Sequence, residues 1–156
     1  MKYFKINRTQ FIEKPIDIVF SFFSKPENLE QITPEYLQFK ILNDSPIPME
    51  KGLIINYKMK IRKIPITWSS LIKSYEPPFS FIDEQIKGPY AFWHHEHKFI
   101  EEKGGTRVND CIKYKIPCGF LGRLINKFWV ANDLEKIFNF RKNAINDIFI
   151  NRIELK

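Results

Sequence analysis

The chain has 156 residues, which is enough for one domain with a single sizeable core. Hydrophobic residues make up 44% and aromatic residues 15% of it, a composition that excludes a disordered chain, a solenoid and a disulfide scaffold. The formal net charge of +7 permits an anionic partner, but the basic residues are scattered, so we expect most of them on a solvated face.

Cysteine usage and hydropathy point to a reduced, soluble protein. Cys111 and Cys118 would lie roughly 20 Å apart along an extended segment, too far for a mutual disulfide. The N-terminus has no apolar run followed by a small-residue cleavage site, and no apolar run approaches the length of a membrane helix. We therefore expect a cytoplasmic location and no integral membrane segment.

The first third of the chain mixes one strand with two short helices. Alternating apolar residues predict a strand over 2–12. Pro15 opens a helix that reaches Lys25, because proline is tolerated at a first helical turn. A shorter second helix is predicted over 26–32. From Tyr36 onward the period of the apolar residues changes to two, which predicts another strand.

The middle of the chain predicts a series of hairpins. Five further segments alternate apolar and polar residues, and short turns rich in Gly and Pro separate them. These predicted strands are 53–63, 66–75, 80–86, 90–101 and 106–116. Consecutive strands joined by short turns make an antiparallel sheet.

The C-terminal part predicts one long helix over 122–150. Its apolar stripe contains one charged residue: Leu124, Ile125, Phe128, Leu134, Ile137, Phe138, Arg141, Ile145, Ile148 and Phe149. Because such a helix is long for a small domain, we expect a bend near Asn132 and Asp133. Together the elements predict an α+β domain over 1–156, a seven-stranded curved antiparallel sheet wrapped around the long helix, with two short helices between strands 1 and 2.

Four segments carry a resemblance to a known family: residues 14–41, 81–99, 104–122 and 137–141. In their order and sequence, the chain resembles the START-like or Bet v 1-like SRPBCC superfamily, and within it the bacterial ligand-binding, polyketide cyclase/dehydrase-like branch. The resemblance implies the helix-grip fold and a hydrophobic small molecule bound between sheet and helix. It also implies that a minority of members catalyse cyclisation, dehydration or hydrolysis in that cavity.

Strand parity predicts which side chains enter the cavity, because alternate residues of a strand share a face. In the fifth of these hairpin strands Asp110 shares a face with apolar residues, and in the strand before it two histidines share a face with aromatic residues. The predicted inward set, together with Arg141 of the helix, is Trp68, Asp83, Gln85, Trp93, His95, His97, Phe99, Asp110, Tyr114 and Arg141. Buried polar groups need partners, and Asp–His and Asp–Arg pairs are the natural ones.

This polar set admits three interpretations. It can be a purely structural network, the polar end of a ligand pocket, or an acid–base centre in which Asp110 orients His95 or His97. His95, His97 and Asp110 also have the composition of a metal site with two histidines and one carboxylate, but we expect no metal and no other cofactor. No nucleophile motif is present, and no catalytic residue is assigned.

We therefore predict a carrier or sensor of a hydrophobic or amphipathic small molecule, bound by the inward set. Trp68, Trp93, Phe99 and Tyr57 are expected in the apolar wall. The alternatives are a cyclase, dehydratase or hydrolase that uses a His–Asp pair, and a basic interaction module. We expect no nucleic-acid partner and a monomer or weak homodimer.

Overall fold

Seven antiparallel strands form one sheet in the computed structural model, which describes residues 3–151. The strands are β1 (Phe4–Ile12), β2 (Lys40–Ile41), β3 (Ile54–Ile61), β4 (Ile64–Glu76), β5 (Ser80–Lys87), β6 (Phe92–Glu102) and β7 (Gly105–Lys115). Their order in the sheet is β1-β7-β6-β5-β4-β3-β2. The five hairpin strands thus lie side by side in chain order, and β1 pairs with β7 at one edge of the sheet.

The helices lie in two groups, one after β1 and one at the C-terminal end. Helix α1 (Ile16–Phe23) is followed by two 3₁₀ turns (Pro26–Glu30 and Glu35–Leu37). After β7 come α2 (Gly119–Ile125), a π-helical turn (Asn126–Val130) and α3 (Ala131–Asn151). Within the described part of the chain, no helix is long and apolar enough to cross a bilayer.

These elements confirm the predicted helix-grip architecture, in which the sheet packs against the C-terminal helix. Inward and outward residues alternate along the hairpin strands as predicted, and the central residue Ile112 is fully buried. Two apolar clusters form the core. One joins α1 to the C-terminal end of α3 around Phe20, Phe99 and Phe149, and the other joins Trp68 and Trp93 to the first half of α3.

The strand predicted from Tyr36 is much shorter in the structure. Residues Glu35–Leu37 form a 3₁₀ turn that follows Pro34, and Gln38 adopts a left-handed conformation with φ 46°. Only Lys40–Ile41 then pair with β3. The period of two was misleading here because Leu37 is buried from a turn rather than from a strand. Lys2 of the predicted strand 2–12 lies outside the described residues.

The irregularity of the C-terminal helix lies earlier than the predicted bend near Asn132 and Asp133. The amide of Ala131 donates to the carbonyl of Asn126, five residues back, which defines a π turn. The extra residue in this turn shifts the buried face, so that Leu124 and Phe128 are exposed although the apolar stripe included them. Asn126 is buried instead, and the Tyr114 hydroxyl donates to its Oδ1 at 2.9 Å.

We expect Tyr114→Phe to lower the free energy of unfolding by about 1–3 kcal/mol, because it leaves the buried Asn126 carbonyl without a partner. Chemical denaturation measures this loss. Tyr36→Phe, at an exposed position, is the matched control and should change little. The double variant Tyr114→Phe/Asn126→Leu should recover part of the loss, and a single variant as stable as the wild type would contradict the assignment.

Candidate ligand-binding site

A cavity of about 160 Å³ lies between the sheet, α1 with its following turns, and α3. It is much larger than the about 10–15 Å³ that one water needs. Its lining is mostly apolar and comes from Phe22, Phe23, Leu29, Ile32, Leu37, Phe39, Met49, Ile55, Tyr57, Met59, Ile61, Trp68, Ile72, Phe81, Tyr90, Trp93, Leu134, Ile137 and Phe138. Polar side chains also reach it, and the carboxylate, imidazole and guanidinium groups among them belong to Asp83, His95, His97 and Arg141.

The polar end of the cavity is built on three neighbouring strands. His95 and His97 lie two residues apart on β6, so both point inward, and their ring centroids are 3.7 Å apart. Asp83 of β5 pairs in register with His95, and Asp110 of β7 pairs with His97. Each imidazole therefore lies between carboxylates supplied by the strands on either side.

Hydrogen bonds join the imidazoles to both carboxylates. The Nε2 of His95 donates to Oδ1 of Asp110 at 3.1 Å, and the Nε2 of His97 donates to Oδ2 of Asp83 at 3.1 Å. The Nδ1 of His97 lies 2.8 Å from Oδ1 of Asp110, but it is out of line for a hydrogen bond and is left without a partner. Each imidazole thus has a hydrogen bond at Nε2 and an incomplete contact at Nδ1.

The two carboxylates are ionised in this setting. Burial by itself would raise the pKa of Asp110, but the hydrogen bond from His95 and the close contact with the His97 ring outweigh it and hold the pKa far below the usual range. For Asp83, burial is again opposed by the His97 hydrogen bond and by the charges of both histidines and Arg141, and the net pKa is lowered. Two negative charges therefore lie at this end of the cavity.

The histidines respond in opposite directions. Burial and the neighbouring His97 lower the pKa of His95, although its bond to Asp110 acts against this. For His97, burial also acts to lower the pKa, but Asp110 and Asp83 together outweigh it, and the net pKa is raised. The structure thus favours one neutral imidazole beside one that holds its proton.

Arg141 of α3 brings a guanidinium to the same end of the cavity. It lies over the Phe138 ring, with its Cζ 5.2 Å from the ring centroid. The predicted Asp–Arg bridge is absent, since among the described residues no carboxylate lies within 4.0 Å of Arg141 and its buried Nε has no hydrogen-bond partner. The carboxylates act on it only through longer-range attraction, because the shorter strand-to-strand bonds to the histidines hold them in place.

Aromatic rings and one serine form the wall next to the polar end. The Nε1 of Trp68 donates to Oγ of Ser70 at 3.1 Å, and the Tyr57 hydroxyl lies 3.2 Å from the same oxygen. Tyr90 packs against both Trp68 and Trp93, with ring centroids 5.4 Å and 4.8 Å apart. Burial raises the pKa of Tyr57 and of Tyr90, so both hydroxyls are neutral.

The structure divides the predicted site residues into two groups. Six of them line the cavity, namely Trp68, Asp83, Trp93, His95, His97 and Arg141. The other four lie away from its surface. Gln85 bonds the backbone of Tyr90, Phe99 packs in the cluster around α1, Tyr114 holds Asn126, and Asp110 lies behind the two histidines.

Sequence reasoning missed some residues of this region. Arg8 of β1 lies opposite Asp110 in the sheet, and its Nε is buried without a hydrogen-bond partner. The signal for Arg8 was strand parity, because it shares a face with Phe4 and Ile6. Tyr90 was missed because the predicted strand 90–101 placed it on the outward face, whereas β6 begins only at Phe92 and Tyr90 lies in the turn before it.

Asp83, His95 and His97 could also hold a metal ion, since one donor atom from each lies within 4.8 Å of the others. In the structure His97 already donates a hydrogen bond to Asp83, His95 donates to Asp110, and the charge of Arg141 acts on Asp83. That neighbouring positive charge disfavours a divalent cation. The expectation that the site takes no metal stays a prediction.

Comparison with known proteins relates the chain by structure alone. No family model and no curated protein matches its sequence. The ARO/CYC di-domain protein StfQ from the steffimycin biosynthetic pathway is similar at a TM-score of 0.75 and 12% identity, over 98% of this chain and 52% of that one. Protein CV1439 from Chromobacterium violaceum gives 0.71 and 9%, over 93% and 96%. Ginseng major latex-like protein 151 from Panax ginseng gives 0.69 and 12%, over 95% and 98%. These likenesses confirm the fold that the sequence resemblance implied.

We expect NMR titration to resolve the two buried histidines, with His97 protonating above pH 6.5 and His95 below it. Because the folded-state pKa of His97 is raised, its contribution to stability is complete below about pH 6.5 and is lost as the pH rises through the raised value. The lowered pKa of His95 has the opposite effect, and costs stability as the pH falls below about 6.5. Asp110→Asn should lower the midpoint of His97, and a reversed order of the two midpoints would contradict this electrostatic assignment.

Proposed function

We propose that the chain, acting as one domain over residues 1–156, carries or senses a hydrophobic or amphipathic small molecule in the cavity between sheet and α3. The observation that supports this most is the contrast within the cavity. Its walls are mostly apolar, whereas one end presents two imidazoles paired with carboxylates and the guanidinium of Arg141, which has no ion-pair partner. Ligand pockets commonly have this composition, with a few fixed polar groups in an apolar enclosure.

Arg141 indicates the chemistry of the ligand's polar end. A guanidinium only donates hydrogen bonds, so its partner must be an acceptor such as a carbonyl or carboxylate oxygen. The carboxylates of Asp83 and Asp110 are already engaged by the histidines, and they leave Arg141 free to bind such an oxygen. Below the raised pKa of His97, two positive and two negative charges cancel at this end of the cavity, so an added oxygen acceptor meets no net negative charge.

The apolar wall fits the remainder of such a ligand. Trp68, Trp93 and Tyr90 form a ring cluster at one side, and aliphatic side chains of β3 and α3 continue the surface away from Arg141. A molecule with an oxygen at one end and a hydrocarbon or aromatic body would satisfy both regions. Structural likeness to an ARO/CYC protein and to a latex-like protein agrees with this proposal through the fold that they share.

A second candidate function is acid–base catalysis in the same cavity. The His95–Asp110 pair favours it, because an ionised carboxylate fixes the imidazole with Nε2 protonated and leaves Nδ1 as the basic atom. That nitrogen lies 3.6 Å from Asp83 Oδ2, on the side of the cavity. The absence of a nucleophile motif in the sequence restricts this candidate to proton-transfer reactions such as cyclisation, dehydration or hydrolysis by water.

Native mass spectrometry of the purified protein, followed by solvent extraction, tests the carrier proposal. We expect a stoichiometric organic adduct that dissociates under denaturing conditions and contains a carbonyl or carboxylate group. A protein whose mass equals that of the bare chain, and which also fails to bind added amphiphiles, would contradict the carrier proposal. Such a result would favour the catalytic candidate, in which the cavity is occupied only during turnover.

Arg141→Gln should weaken binding of decanoic acid by at least about tenfold, since a hydrogen bond to a charged group contributes about 1.5–3 kcal/mol. Quenching of tryptophan emission reports the affinity, because Trp68 and Trp93 line the cavity. Arg107→Gln is the matched control, because that guanidinium pairs with Glu102 on the outer face of the sheet. Equal losses of affinity in both variants, or no loss in Arg141→Gln, would show that Arg141 does not bind the ligand.

A further inference from the structure

An apolar and basic surface lies where the chain leaves the sheet and enters the C-terminal helix. We name it the α2 patch, and it consists of α2 and the following π turn. Five large apolar side chains are between 38% and 68% exposed there: Phe120, Leu121, Leu124, Phe128 and Trp129. The opposite side of the same segment is buried through Gly122 and Asn126. The segment is therefore amphipathic with its apolar side turned to solvent, whereas surface helices usually turn that side to the core.

Positive charges surround these apolar side chains. Arg123 lies over the Phe120 ring at 5.4 Å and Lys127 over the Phe128 ring at 5.8 Å. Arg62, from the turn between β3 and β4, lies over Trp129 at 5.7 Å. The sequence over 111–132 contains no acidic residue, and the next one, Asp133, is paired with Arg62, so Arg123 and Lys127 carry the uncompensated charge of the patch. A groove beside the patch, of about 230 Å³, has Lys115 and Arg123 in its wall and could admit an anionic group.

The α2 patch also adjoins one end of the ligand cavity. Met59 and Ile61 at the end of β3 line the cavity, and Arg62 follows them directly. Arg62 then spans to the start of α3, where its Nε and a terminal nitrogen donate to Asp133 at 2.9 and 3.0 Å. The same arginine thus contacts both the patch and the helix that covers the cavity.

We propose that the α2 patch docks the protein onto an anionic phospholipid surface. Exposed Phe, Leu and Trp beside Arg and Lys is the composition of helices that lie in a membrane interface. The apolar side chains would enter the boundary between headgroups and acyl chains, and the basic side chains would contact the lipid phosphates. A second copy of the chain is a poorer partner for this surface, because like charges on Arg123 and Lys127 would face each other across a symmetric contact.

Flotation with lipid vesicles tests the proposal on the full chain. We expect binding to vesicles of phosphatidylcholine with 30 mol% phosphatidylglycerol, little binding to phosphatidylcholine alone, and weakening at high salt. Binding should also shift the emission of Trp129 to the blue, a signal that Trp129→Phe removes. Absence of binding to the anionic vesicles at low salt would overturn the proposal.

Two variants and their controls distinguish binding through the patch from non-specific electrostatic or hydrophobic binding. Phe128→Ser/Trp129→Ser and Arg123→Glu/Lys127→Glu should each reduce vesicle binding by at least about tenfold. Phe79→Ser, at a 63% exposed ring in the turn between β4 and β5, and Lys103→Glu should leave binding unchanged. Circular dichroism and melting temperatures establish that the variants fold.

The remaining outcomes reassign the surface. Vesicle binding that the controls reduce as much as the patch variants would show a general charge effect and overturn the proposal. A concentration-dependent dimer in analytical ultracentrifugation, abolished by Phe128→Ser/Trp129→Ser, would assign the patch to a second copy instead. Binding of decanoic acid in the cavity is measured separately, so failure of vesicle binding leaves the ligand proposal to its own test.

Discussion

Two imidazoles held between carboxylates of both neighbouring strands constrain the sheet at its centre. His95 and His97 lie on β6, Asp83 on β5 and Asp110 on β7, so their hydrogen bonds cross two strand pairs at once. A slip of either neighbour by one residue would move its carboxylate to the outer face and leave buried imidazoles unpaired. Such a loss costs a few kcal/mol for each orphaned group, which apolar packing would not recover.

The same four side chains also determine the polarity of the cavity. Since the carboxylates are bound to the histidines of the neighbouring strand, they do not pair with α3, and Arg141 lines the cavity without an ion-pair partner. A structural network and a ligand-binding end are therefore compatible interpretations of one set of residues. The strand-to-strand bonds fix the register, and the guanidinium that they leave unpaired is available to a ligand.

Strand parity made most of this predictable from the sequence. The period of two and the placement of charges identified the inward faces of β3 to β7, and hence the positions of His95, His97 and Asp83. Parity could not reveal which inward residues reach the cavity, because Asp110 and Tyr114 are covered by side chains from other elements. It also failed where the chain is not extended, at Leu37 in a 3₁₀ turn and at Tyr90 before β6.

The C-terminal helix shows a different limit of sequence patterns, and the reason for that limit bears on function. Counting back from the buried Leu134 in steps of four gives Val130, Asn126 and Gly122, which are small, polar or only moderately apolar. Leu124 and Phe128, which the predicted apolar stripe included, are larger and indicate another face, so the two sets conflict in phase. In the structure the π turn resolves that conflict in favour of Asn126, because only this amide accepts the buried Tyr114 hydroxyl. Large apolar side chains that could have been buried are thereby left on the surface. Because a contiguous exposed apolar patch is uncommon in a monomer without a binding role, the choice of Asn126 for the interior is itself an argument that Phe128 and Trp129 face a partner.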